Sequence, residues 1–229
     1  MKRFYTEVSV LPDGGGWGIR LDGRPVRTPA RAPLTLPTPA LAEAVAAEWR
    51  GQGDMVDPAS MPFTGMANAA IDHVAPDPAA FAAGIARYAQ SDLLCYRADG
   101  PEALAARQAA AWDPLLDWAQ GRYAVRFAVT QGIIPVDQPE ATLARLQAAV
   151  VALDPFVLTG LSTLVTLSGS LICGLAIVEG GHDVESIWQL AELDEAWQAE
   201  QWGEDAEAAA RSARRAAEFS MAGAFCAMS

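Results

Sequence analysis

Residues 155–178 contain no charged side chain. A run of that length either crosses a bilayer or is enclosed by the rest of its own protein. Three features favour enclosure. The flanks are acidic, with Asp154 before the run and Glu179 and Asp183 after it, so no cationic anchor holds it at a membrane face. Six Ser/Thr and three Gly dilute its apolar character. Finally, Thr159, Thr163, Thr166, Ser170 and Gly174 recur at spacings of four, three, four and four. That stripe follows one face of a helix, and small residues there let a neighbouring helix approach closely. The expectation is one buried helix inside a soluble domain, and a membrane-anchored protein is the reading it displaces.

The chain supplies the helices needed to cover it. Beyond Asp57-Pro58 the apolar spacing is helical nearly to the end. Helices are expected over Phe63–His73, from a cap at Asp77 past Phe81, Ile85, Tyr88 and Ala89, and over Glu102–Trp112. Asp113-Pro114 should restart the last of these, because proline suits a first turn. Further helices are expected over Pro139–Leu153, from Asp183 to about Trp202, where Gly203 ends it, and over Glu204–Phe225. The first part of the chain differs. Residues Phe4–Val10 alternate with period two, Pro12–Gly16 forms a turn, and Trp17, Ile19 and Leu21 alternate again. Asp22-Gly23 is a hairpin turn signal, since both positions tolerate positive φ, and a third strand should run from Arg24 to Thr28. Prolines 29, 33, 37 and 39 then keep the chain extended. A helix from about Ala40 to Gln52 carries Leu41, Val45 and Trp49 on one face. The fold class is therefore α+β. It comprises a small antiparallel β domain with one connecting helix over residues 1–57 and a larger all-helical domain over residues 58–229.

Charge excludes several partners. The chain has 16 basic and 28 acidic residues, net -12, and residues 76–229 hold 20 of the acids. A surface of that sign does not suit nucleic acid or anionic lipid. Cys95, Cys173 and Cys226 are odd in number and far apart, which fits small buried hydrophobes better than a disulfide or zinc scaffold. His73 and His182 lack a second ligand at metal-binding spacing, so no metal site is expected. The Gly14-Gly15-Gly16-Trp17-Gly18 run lies between two strands, whereas a phosphate loop needs a strand-to-helix turn; it is read as a hairpin. The opening residues show neither an apolar signal core nor an Arg/Ser-rich transit segment, and a bacterial cytoplasmic location is expected. No coiled-coil heptad demands an oligomer, so a monomer is expected.

The unusual pattern is tryptophan beside carboxylate. On the expected 183–202 helix, Ile187, Leu190, Ala191 and Trp197 form an apolar face with Asp194 inside it. Glu195 shares a stripe with Trp188, Ala191, Ala199 and Trp202. A carboxylate on an apolar face costs several kcal/mol if buried without a partner. One solution is pairing with Arg211, Arg214 or Arg215 on the following helix. The other is a partner protein's arginine or backbone amides, received among indole rings as at interface hot spots. Asp194, Glu195, Trp188, Trp197 and Trp202 are thus the candidate partner-binding set. Trp49, Gly23 and Asp113 are candidate structural residues, and Trp112 and Trp118 candidate core. An enzyme using Asp194 or Glu195 as general acid/base in a tryptophan-lined pocket is the alternative; it lacks an identifiable second catalytic group.

The segments Arg3–Val10, Leu21–Pro29, Val45–Gln52, Met61–Asp72, Asp92–Ala98, Trp112–Leu116 and Leu193–Gly203, taken in this order, are similar to the assembly chaperones for the α subunit of the catalytic head of F-type ATP synthase. The resemblance runs along nearly the whole chain. It implies a small β domain followed by a helical one, and a non-enzymatic role in holding new α subunit before assembly and keeping it from aggregating. No nucleotide or other cofactor is implied. Eukaryotic relatives act in mitochondria. The acidic stretch matching Asp194 and Glu195 is implicated in the family's function, and the tryptophan matching Trp49 in its integrity. Where the eukaryotic relatives carry a third acid this chain has Ala196, which leaves open which of the two acids is the functional one.

Overall fold

The sheet is built around one strand. In the computed structural model, which describes residues 2–203 and 205–229, β1 (Val8–Asp13) pairs antiparallel with β2 (Gly16–Leu21) from Val8↔Leu21 to Asp13↔Gly16. Two short strands, β3 (Arg24–Pro25) and β4 (Thr35–Leu36), also pair antiparallel with β2. The glycine run makes this possible. Gly14 and Gly15 turn the hairpin at φ of 58° and 93°, and a Cβ on Gly16 would stand 2.5 Å from the Leu36 carbonyl. The second turn, Asp22-Gly23, has φ of 47° and 77°, and the Asp22 carboxylate accepts hydrogen bonds from the Thr6 and Glu7 amides. The expected Phe4–Val10 strand begins later, because Arg3 donates its amide to Asp54 and Lys2 bridges to Met55. Beyond Pro25 the expected third strand gives way to a single Arg27↔Pro33 bridge.

By its contacts the chain divides into two units, Met1–Pro78 with Asp154–Gly160 and Ala224–Ser229, and Ala79–Leu153 with Leu161–Gly223. In the first, α1 (Pro39–Arg50) starts at Thr38, whose hydroxyl accepts from the Leu41 amide at 3.2 Å. Its buried residues Leu41, Ala42, Val45 and Ala46 pack with Ile19, Leu34, Leu36 and Phe225. Trp49, half-buried, meets the Tyr5 ring at 5.7 Å and accepts the Tyr5 hydroxyl on its carbonyl at 2.7 Å. Next to it, Glu48 caps α2 (Pro62–Ala69) by accepting from the Phe63 and Thr64 amides at 2.7 and 2.8 Å. A π-turn over Ala70–Val74 follows, where Asp72 accepts from the Thr28 hydroxyl at 2.7 Å.

The second unit is helical. It contains α3 (Pro78–Ala86) from Ala79 onward, β5 (Tyr96–Arg97), α4 (Glu102–Tyr123), β6 (Thr130–Gln131) and α5 (Glu140–Val151). The helix expected to restart at Asp113-Pro114 is continuous. Pro114 sits inside α4, which loses one backbone donor there, while Trp112, Leu115 and Leu116 are buried around it. Asp113 binds the Arg97 guanidinium at 2.8 Å.

The uncharged run is two helices, α6 (Pro155–Ser168) and α7 (Leu171–Val178). No helix among the described residues is long and apolar enough to cross a membrane. The break is built from polar groups. Gly169 takes φ of 68°, and Ser170 caps α7 through the Cys173 amide. Asp92, 0% exposed, accepts from the Ser170 hydroxyl at 2.7 Å and from the Ile172 and Leu94 amides at 3.1 Å. Of the small-residue stripe, Gly174 serves this fold-back, whereas Thr166 is exposed. A Cβ on Gly174 would lie 2.7 and 2.8 Å from Leu161 and Val165 of α6, so only glycine lets α7 pack this close.

Three helices complete the chain: α8 (Val184–Ala191), α9 (Leu193–Trp202) and α10 (Ala206–Met228). The expected start of the last helix at Glu204 lies outside the described residues. The cysteines are free, with Cys95 and Cys173 buried, and burial pushes all three thiols up to about 12.

Candidate functional site

The acidic tryptophan segment is not one helix. Asp183 starts α8 by accepting the Ser186 amide at 2.9 Å, and the chain bends at Glu192, where φ is -95° and ψ 15°. The bend turns α9 so that Asp194 and Glu195 meet different surroundings.

Asp194 faces α4. Its carboxylate accepts from Gln108 Nε2 at 2.7 Å, and Gln108 Oε1 accepts from the Ala98 amide at 2.8 Å. Gln108 is buried, so its amide ties β5's exit to α9. Two more contacts hold the same side. Trp112 Nε1 donates to the Leu190 carbonyl at 2.9 Å. Arg107 binds Glu200 at 2.7 Å, and its guanidinium stands 5.9 Å from the Trp197 ring centroid. Trp197 is therefore half-buried against α4, below an ion pair.

Glu195 faces the other way. A groove of about 630 Å³ runs along α9 and α10, with Glu192, Glu195, Trp202, Arg211, Ser212 and Arg215 on its walls. Two of the three arginines expected to neutralise Asp194 or Glu195 are engaged elsewhere. Arg215 pairs with Glu192 at 2.8 Å and donates to the Leu167 carbonyl at 2.8 Å, and Arg211 pairs with Glu207 at 2.8 Å. Ser212 adds a hydroxyl to Glu192 at 2.8 Å. Among the described residues no cation lies within ion-pair distance of Glu195. Glu195 is exposed overall, yet partial desolvation of its carboxyl at the groove wall raises its pKa; a backbone hydrogen bond and Arg215 oppose the rise, and the charges of Glu192 and Asp194 add to it.

The tryptophans separate in the same manner. Trp188 is 8% exposed, lies 5.0 Å from the Phe219 ring and carries Arg215 over its face at 5.3 Å. It supports the groove from within. Trp202 is 79% exposed on the groove wall. The structure thus brings Glu195 and Trp202 together at an open surface and sends Asp194, Trp197 and Trp188 into contacts within the unit. Gly23 and Trp49 lie in the other unit. Sequence reasoning missed Glu192, Gln108 and Arg107. The signal for Glu192 was present, since it follows Trp188 by four residues on one helical stripe. Gln108 gave none, because its partner is 86 residues away.

Chemically, Glu195 is an acceptor with no cation at ion-pair distance among the described residues, on the same groove as an exposed indole. That pairing can take an arginine or exposed amides and bury apolar surface next to them. The model of the ATP12 chaperone protein family matches residues 2–120, slightly more than half of the chain. The chain belongs to the ATP12 chaperone family. Its likeness to solved ATP12 structures extends past residue 120 to α8–α10. It is similar to the crystal structure of Atp12 from Paracoccus denitrificans, with 47% identity, 99% of this chain and 97% of that one covered, and a TM-score of 0.95. An aspartate-to-lysine mutant of the same Paracoccus protein matches at 47% identity, 99% and 97% coverage, and a TM-score of 0.96. A candidate chaperone from Agrobacterium tumefaciens matches at 44% identity over 99% of this chain and 85% of that one, with a TM-score of 0.94.

Proposed function

We propose that this ATP12 chaperone binds the unassembled α subunit of F-type ATP synthase and prevents its aggregation while the catalytic head is assembled. It does so as a monomer in the bacterial cytoplasm, with the α9–α10 groove as the client site. The observation that carries the reading is Glu195, a carboxylate with no cation at ion-pair distance among the described residues, sharing a groove with the exposed Trp202 in a member of a chaperone family. An α subunit that has not met its neighbours exposes interface that they later cover. A reversible holder needs moderate apolar burial, at about 25 cal/mol per Å², and a charge that fixes orientation and favours the intended client. Trp202 supplies the first and Glu195 the second. Asp194 acts by holding α9 on α4.

Charge reversal separates these roles. Glu195→Lys is expected to leave stability within about 0.5 kcal/mol and to weaken binding of isolated α subunit at least ~10-fold, as removal of a hot-spot charge does. Asp194→Lys breaks the Gln108 bond and lowers stability by about 2 kcal/mol, with binding reduced through misplacement of α9. Wild-type binding weakens as salt rises, because an exposed charge pair is screened. Light scattering of α subunit with each variant, alongside denaturant melts, reads both effects. If both charge reversals fold normally and still suppress aggregation, the acidic groove is not the client site.

A further inference from the structure

A second exposed surface is left over. Residues 127–136 carry no charge in a chain of net -12, and they hold Ile133 at 97% and Ile134 at 73% exposure, with Val129 also exposed. Large apolar side chains scattered singly on a surface are ordinary, but two adjacent, almost bare isoleucines at one tip are a patch.

The tip is held, not loose. On one side β6 pairs parallel with β5, and the Gly132 amide donates to the Arg97 carbonyl at 2.8 Å. Arg97 is buried, donating to the Leu94 carbonyl at 2.9 Å and to Asp113 at 2.8 Å. On the other side the buried Gln138 side chain grips both backbone groups of Ala128, accepting from its amide at 3.0 Å and donating to its carbonyl at 2.8 Å. The segment 128–138 is thus tied at its base from both ends. Gly132 takes φ of 75° at the turn, and Pro135 stiffens the chain after Ile134. A loop ordered before it binds loses little conformational freedom on binding. The Asp99 carboxylate lies 3.5 Å from where a Gly132 Cβ would be, placing one negative charge beside the apolar tip.

We propose that the Ile133–Ile134 tip is a second docking point for the client polypeptide, inserting into an apolar cleft of the α subunit that carries a cationic side chain at its rim to meet Asp99. This rests on the client reading above. The size of the patch selects this occupant. Three side chains expose a few hundred Å² at most, whereas a stable dimer buries about 800 Å² per partner. The tip is therefore too small to hold a second copy of this chain and fits a reversible contact that adds to a separate one.

The test is the double variant Ile133→Ser/Ile134→Ser with Ile133→Leu/Ile134→Leu beside it, measured for binding to isolated α subunit and for sedimentation. Both variants should melt within a few degrees of wild type, since exposed positions contribute little to folding. The serine variant should bind α subunit about tenfold or more weakly, at high salt as well as low, and the leucine variant should bind like wild type. Equal binding by wild type and the serine variant overturns the tip while leaving the groove standing. A wild-type dimer that the serine variant dissolves assigns the patch to a second copy and also overturns it. Failure of wild type to bind α subunit at all overturns the client reading itself, and the tip with it.

Discussion

Asp92 shows two effects of burial opposing each other on one side chain. Its carboxylate accepts from Leu94, Ile172 and Ser170, and each bond favours the charged form. Desolvation is larger, and the pKa rises from 3.8 to about 6. The sign follows from linkage. The folded state holds the proton more tightly than the unfolded chain, so this contribution to stability is fully present below about pH 4 and is lost as the pH rises through about 6. The expected loss is on the order of 3 kcal/mol for a shift of this size. Asp92→Asn fixes the neutral state. Urea melts across pH 4–7 should show the stability of wild type relative to the variant falling over that interval. Parallel profiles would contradict the account. The same scale explains why the choice between Asp194 and Glu195 was closed to the sequence. Both acids lie on apolar stripes, and what distinguishes them is Gln108 from α4 and the commitment of Arg215 to Glu192, pairings made by the fold and not by spacing.

Helices were recognisable by their period, and their interruptions were not. The 155–178 and 183–202 runs each keep a helical apolar repeat throughout, so the sequence reads each as one rod. The breaks come from tertiary polar groups. Asp92 and Ser170 cap a new helix at Leu171, and Glu192 turns inward to Arg215 and Ser212. The β-meander was legible because its signals are local: alternation in β2, and turn residues at Asp22-Gly23 that adopt the positive φ expected of them. If Gln108 is what holds α9, Gln108→Leu leaves the Ala98 amide and the Asp194 carboxylate without that partner, costing about 2–3 kcal/mol. Denaturant melts measure the cost. Amide hydrogen exchange should also quicken in 193–202 while α7 stays protected. Unchanged exchange in α9 would show that Arg107 and Trp112 suffice to dock it.

For the whole molecule, the charge asymmetry gains a location. The acidic surplus falls on the part of the chain that folds as helices. One of those acids, Glu195, has no cation at ion-pair distance among the described residues and shares a groove with an exposed tryptophan, on a chain that belongs to a chaperone family. A client that enters this groove must pass Trp202. Entry is tested most directly by placing a photoreactive benzophenone amino acid in place of Trp202 and irradiating the protein with isolated α subunit. A covalent product at the summed mass of the two chains is expected, lost when Glu195→Lys is added. A complex that forms in solution yet gives no cross-link from position 202 would contradict entry at this groove.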